Sequence, residues 1–259
     1  MTTHFVKLPT TLVAVALSLA APVFAAPISI VANASWAGQS SVANAGYTVS
    51  AYSNNAPMTA GLIGIRIIPS IGAGAGVQGQ GNDEIDVMAQ GNSEVLRFNF
   101  TQAGVISNLT LGLLFDGPEY SDWEEIAKFN VTFAGGASET FTLATNYLGL
   151  NSSNSTWNGS AISWVPNAIV DGGAGLWSNT DPFAGRAISR VDLYAANSSN
   201  CYAPGTCGDQ SDYVFRSMTT TAVPEPATLS LLGLGLLGLG FARRTRRHEA
   251  NRPDAQMRP

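Results

Sequence analysis

The sequence predicts an all-β protein: an antiparallel β-sandwich ectodomain of jelly-roll type, set between an N-terminal signal peptide and a C-terminal transmembrane helix. Three observations carry this reading. Short runs of alternating apolar and polar residues recur between residues 28 and 218, and a period of two puts every second side chain on one face of a strand. Clusters of Gly, Asn, Asp and Ser separate these runs and leave no room for the helical crossovers that parallel strands require. Near each end of the 259-residue chain lies an uncharged apolar run that does not alternate.

Residues 1–25 read as a secretory signal peptide. Lys7 gives the positive start, Leu12 to Ala21 the apolar stretch, and Val23-Phe24-Ala25 the cleavage site, with the cut after Ala25. The apolar stretch is too short to span a bilayer. The ectodomain, residues 26–218, then holds six basic residues (Arg66, Arg97, Lys128, Arg186, Arg190, Arg216) against fifteen acidic ones. Such a surface offers no stripe for tracking phosphates, so nucleic acid is excluded as a partner. It suits a soluble exported protein, and hard divalent cations.

In chain order, strands are expected at Ile28–Val31, Tyr47–Tyr52 and Thr59–Ile68, the last stopped by Pro69. Residues 72–81 read as a glycine-rich loop; no Gly-Lys-Ser/Thr follows, so it is not a phosphate-binding loop. In 94–100, Leu96, Phe98 and Phe100 share one face, and Leu109, Leu111, Leu113 and Phe115 repeat the pattern in a separate strand. A turn at Asp116-Gly117-Pro118-Glu119-Tyr120 ends it. Asp122 to Ala127 is expected as one short helix, capped by Asp122. Phe129, Val131 and Phe133, then Phe141 and Leu143, flank a hairpin signal at Gly135-Gly136. Residues 151–159 and 171–185 read as polar loops around a short strand at 162–165. Strands at 188–194 and 212–218 complete the set, and 219–222 reads as a Thr-rich linker.

The chemistry is bounded by an absence in the sequence. The two histidines, His4 and His248, lie in the terminal segments. Ser/His/Asp and Cys/His catalysis and histidine-ligated metals are therefore excluded from the ectodomain, and no catalytic residue is assigned. Asp83, Glu84, Asp86, Asp116 and Glu119 offer the oxygens that Ca²⁺ takes, at a spacing unlike an EF-hand. The same acids also read as plain solvated loop residues. Alternatively, Glu84, Asp86, Asp116, Glu119 and Glu124 supply a carboxylate pair for glycoside hydrolysis, which needs a separation of roughly 5–10 Å. Trp36, Trp123, Trp157, Trp164 and Trp177 are either core or sugar-stacking residues, with Trp157 and Trp177 placed in polar loops. Cys201 and Cys207 are expected to form a disulfide in an exported chain.

The C-terminal segment has three parts in fixed order. Val223-Pro224-Glu225-Pro226 is extended, because two prolines so close fit neither helix nor sheet. Residues 227–242 are an uncharged run with glycines at 233, 235, 238 and 240, slightly short of the roughly 20 residues of a full span. Arg243, Arg244, Arg246 and Arg247 form a basic stop that stays in the cytoplasm, followed by a tail at 248–259. On physics alone this is a membrane anchor.

These three parts together resemble the PEP-CTERM sorting signal of Gram-negative bacteria, over residues 223–247. The resemblance implies an exosortase that cuts at or near Pro-Glu-Pro. It also implies transient residence in the inner membrane as an anchored precursor, then delivery to the cell surface or extracellular matrix. The segment from Gly81 to Asp86, with Leu113 to Tyr120, is similar to a stretch in many PEP-CTERM ectodomains and implies no activity. The role so implied is structural or adhesive, in association with exopolysaccharide in a biofilm. The alternative is a carbohydrate-binding protein or a carboxylate-pair enzyme acting on polysaccharide.

Overall fold

The computed structural model describes residues 25–68, 72–79, 83–87, 92–114, 125–144, 156–157, 165–170, 174–197, 211–223 and 235. The signal peptide before Ala25, Asp116, Glu119, Cys201, Cys207, Pro224, Glu225, Pro226 and the arginine cluster lie outside the described residues, as does all of 227–242 except Gly235. Among the described residues no helix is long and apolar enough to cross a membrane.

The described residues form fifteen strands and one 3-10 turn. In order these are β1 (Ile28–Val31), the turn (Ala34–Trp36), β2 (Ser41–Asn44), β3 (Tyr47–Asn55), β4 (Met58–Ala60), β5 (Leu62–Ile68) and β6 (Gly72–Gln78). Then come β7 (Ile85–Asp86), β8 (Val95–Leu114), β9 (Ile126–Phe133), β10 (Ser138–Ala144) and β11 (Thr156–Trp157). β12 (Val165–Val170), β13 (Ala174–Asn179), β14 (Ile188–Ala196) and β15 (Asp212–Ala222) complete the chain. Every pairing is antiparallel, with a central order β11-β10-β9-β14-β8-β15-β6-β5.

β8 organises the molecule because it belongs to two halves of the sheet. Its first part, Val95 to Phe100, pairs with β3 on one side and β14 on the other. Its second part, Gly104 to Leu114, pairs with β15 and β13. A register shift against β14 falls between Asn99 and Gly104, and this irregularity marks the corner. The halves close over one core: Phe98 of β8 meets Phe215 of β15 at 4.6 Å between ring centroids. Across the same gap the Tyr213 hydroxyl donates to the Tyr194 carbonyl at 3.2 Å. Leu96, Phe98, Phe129, Val131, Phe141, Leu193 and Phe215 are all buried in it.

The all-β antiparallel prediction holds, with local corrections. β8 is one strand of 20 residues, where two were expected; Thr101 and Gln102 break the alternation by standing exposed, yet the backbone stays extended. The expected glycine loop at 72–81 is largely β6, and glycine is what lets it fit. A methyl group at Gly76 would overlap the backbone of Asp83 and Glu84, and the next residue, Val77, donates its N–H to the Glu84 carbonyl at 2.8 Å. The expected helix at Asp122–Ala127 gives way at its end: Ile126 and Ala127 open β9, whose backbone pairs with both β10 and β14. Within the expected loop at 171–185, residues 174–179 form β13.

The linker at 219–222 is also corrected. β15 runs on to Ala222, with Thr219, Thr220, Thr221 and Ala222 opposite Asn108, Ile106, Val105 and Gly104. Threonine has a β-branched side chain suited to strands, and Val223 adds one more bond by donating its N–H to the Ala103 carbonyl at 2.9 Å.

Candidate functional site

Three features stand out from the core: an acidic cluster at one end of β15, a polar outer face on the half containing β14, and the exit of the chain at the other end of β15.

The cluster forms because β7 pairs with the start of β15. That register sets Asp86 opposite Asp212 and Ile85 opposite Tyr213. Glu84 is drawn in by the bond from Val77. Carboxylate oxygens of Glu84, Asp86 and Asp212 then lie within 4.8 Å of one another, with Glu84 and Asp86 buried and Asp212 half-buried. Glu94 and Glu125 are buried as well. Hydrogen bonds knit the surroundings: Asp86 N–H donates to Glu94 Oε2 at 3.2 Å, Ser93 Oγ to the Asp86 carbonyl at 3.1 Å, and the Ile126 N–H to Ser211 Oγ at 3.0 Å. Arg66 forms an ion pair with Glu84.

Of the five acids expected to ligate calcium, the structure brings together Glu84 and Asp86. Asp83 stands aside on a left-handed turn residue, φ 65°, and is half-buried; it is not a member of the group. Asp212 joins instead. Its role was invisible in the sequence because only strand register places it across from Asp86, some hundred-odd positions away along the chain.

The polar outer face follows from alternation on β3, β8, β14, β9 and β10. One cross-strand row reads Ser50, Arg97, Asp192, Asn130, Thr140. Arg97 grips both oxygens of Asp192, Nε to Oδ1 at 2.7 Å and Nη2 to Oδ2 at 2.8 Å, the bidentate geometry that gives the strongest such pairs. Asp192 is 5% exposed. Its hydrogen bond raises the Arg97 pKa above the usual range, against the opposing effect of burial. The Tyr52 ring lies under the same guanidinium at 5.1 Å. Burial raises the Tyr194 pKa, opposed by a hydrogen bond to Thr140 and aided by the charge of Asp192. A groove of about 270 Å³ runs along this face, lined by Arg97, Asn130, Arg190, Asp192 and Tyr194 among others. The sequence reading did not single it out, although a charged pair at 190 and 192 on one strand face was visible.

The tryptophans do not make a stacking platform where they are described. Trp36 and Trp177 are buried, and Trp177 Nε1 donates to the Leu114 carbonyl at 2.8 Å. Trp177 was expected in an exposed loop; it is core on β13. Trp157 lies on β11, where the backbone alone is described, and Trp123 and Trp164 lie outside the described residues.

At the exit, Ala25 and Ala222 line one pocket, together with Ile28 and Thr220. The antiparallel register of β1 on β15, Ile28 opposite Thr220, places the two ends of the sandwich side by side. Residues 222–247, which begin at the last residue of β15, match the family model of the PEP-CTERM protein-sorting motif.

The chain carries a PEP-CTERM sorting signal. The signal marks an exported protein with a membrane-anchored sorting segment, processed by an exosortase. No curated protein and no solved structure matches the chain. The sorting signal therefore identifies the route of the protein, and the sandwich is its cargo.

Proposed function

We propose that the sandwich is displayed at the cell surface or in its extracellular matrix and acts there by contact, as a structural or adhesive protein associated with exopolysaccharide. The observation that carries this reading is the continuity between cargo and signal. Among the described residues the sheet runs on to Val223, one residue before Pro224, so the strands of the cargo lead directly into the sorting signal. The histidine-free sequence between the terminal segments and the polar groove on the outer face support a binding role. Digestion of intact cells with proteinase K tests the placement. The sandwich is removed if it faces the medium, and protection until lysis contradicts the proposal.

The carboxylate-pair enzyme is the weaker reading. Of the acids expected for it, Glu84 and Asp86 are 2% and 6% exposed, with the half-buried Asp212 beside them, and Asp116, Glu119 and Glu124 lie outside the described residues. A glycosidic bond cannot reach carboxylates so buried.

A second reading concerns the same acids. Carboxylate oxygens of Glu84, Asp86 and Asp212 within 4.8 Å of one another, two of the three side chains buried, make a compact set of the hard oxygen donors that Ca²⁺ takes. We propose that Glu84, Asp86 and Asp212 hold a calcium ion that ties β7 to β15. The ion would be structural, supplying charge compensation by oxygen ligation. Calcium at a hundred times its Kd adds about 2.7 kcal/mol, or roughly 5–10 °C in Tm for a domain of this size. Chelation with EGTA is expected to remove that increment in the native protein and to leave Asp212→Asn unchanged. Equal melting with and without EGTA would end this reading.

A further inference from the structure

The outer face built by β3, β8, β14, β9 and β10 gathers positive charge in a chain that is otherwise acidic. Three of the six basic residues between 26 and 222, namely Arg97, Lys128 and Arg190, stand on it. Asp192 is the one acid on this face among the described residues. Register brings them close: Asp192 lies opposite Arg97 and Asn130, and Tyr194 opposite Lys128.

The two arginines are in different states. Arg97 has its fork taken up by Asp192. Arg190 stands with Nε 3.7 Å from Asp192 Oδ1, too far for a hydrogen bond, and that Nε has no hydrogen-bond partner. That Nε is buried, but the side chain is 34% exposed and only loosely ion-paired with Asp192, so it is the rest of the guanidinium that the groove can offer to a ligand. The groove it lines also presents the Asn130 amide and the half-buried Tyr194 ring, and its volume of about 270 Å³ suits one ring-sized group at a time. A guanidinium fork matches a carboxylate, an amide matches vicinal hydroxyls as donor and acceptor, and a tyrosine offers an apolar face with a polar tip. A phosphate-tracking polymer fits poorly, since a single loosely paired arginine in an acidic domain makes no stripe.

We propose that this groove binds carboxylate-bearing sugar units of an acidic polysaccharide, with Arg190 holding the carboxylate and Asn130 and Tyr194 holding the ring. The proposal deepens the reading of the protein as polysaccharide-associated, and rests on it.

The test is affinity electrophoresis of the exported protein in gels containing polygalacturonate, its fully methyl-esterified form, or dextran. Retardation is expected with polygalacturonate alone. Arg190→Ala should weaken it at least tenfold and Arg190→Lys less, both without change in Tm. Arg186→Ala, at a separate site where Arg186 pairs with Glu139 over Phe133, should bind like the parent. Equal retardation by the esterified polymer, an unaffected Arg190→Ala, or no retardation by polygalacturonate would each overturn the proposal. Those outcomes would leave surface display intact if proteinase K still removes the sandwich from whole cells. Protection from protease would sink surface display without altering the gel result.

Discussion

Asp192 sits buried on a face that otherwise meets water, and Arg97 holds both of its oxygens there. Removing one partner of such a pair leaves the other desolvated and alone. Asp192→Ala is expected to cost about 3 kcal/mol by urea denaturation, and Asp192→Asn less, because the amide still accepts from Arg97. A loss under about 0.5 kcal/mol would mean that Arg97 finds water or another acceptor at once. Tyr213 gives the pH-dependent case. Its hydroxyl is fully buried, and desolvation, with a smaller contribution from Tyr194, pushes its pKa well above the usual tyrosine range. The native state then keeps a proton that the unfolded chain loses near pH 10. The stability tied to that proton is whole below pH 10 and falls as pH rises from there toward the native pKa. Tyr213→Phe should cost about 1 kcal/mol at neutral pH through the lost bond to the Tyr194 carbonyl. It should also flatten the decline in Tm above pH 10; an unchanged alkaline slope would contradict this assignment.

At the scale of the element, β6 is where the sequence misleads. Gly72, Gly74 and Gly76 read as a loop, yet they are strand residues, and at Gly74 and Gly76 the missing side chain admits a neighbour. A methyl at Gly76 meets the backbone of Asp83 and Glu84, which has no side-chain freedom with which to yield. Gly76→Ala is expected to destabilise by about 3 kcal/mol, and to loosen the acidic cluster that the Val77–Glu84 bond positions. A neutral effect in thermal melts would show that the 83–84 segment shifts freely. Strands built on strict alternation were legible: the faces of Leu96, Phe98 and Phe100, and of Phe129 and Val131, are buried as their spacing requires. What the spacing could not convey is continuity. The exposed Thr101 and Gln102 look like a break, whereas hydrogen bonding to neighbours on either side carries the backbone of β8 through. The linker failed for the same reason, since Thr219–Thr221 are polar in composition and paired in space.

For the molecule as a whole, the candidate sites depend on register between distant strands more than on any local motif. Asp212 meets Asp86, and Arg97 meets Asp192, only after β7, β8, β14 and β15 have paired. The sorting signal is the opposite case: its meaning is local and linear, and it was readable from Val223 to Arg247 without a fold. Putting the two together gives an orientation. Ala25 and Ala222 leave one end of the sandwich, while Asp212 stands at the other end of β15, about 30 Å away at strand rise. An anchored precursor would thus hold the acidic cluster away from the bilayer and keep the Pro-Glu-Pro within a residue or two of the folded sheet. Cutting there would release a sandwich with every strand intact.

Mass spectrometry of both terminal peptides, on protein recovered from the native cells, tests that claim most directly. The account predicts a chain beginning at Ala26 and ending near Pro224–Pro226, without the apolar run or the arginines. A full-length chain recovered from the cytoplasm, with Met1 and Pro259 both present, would contradict it.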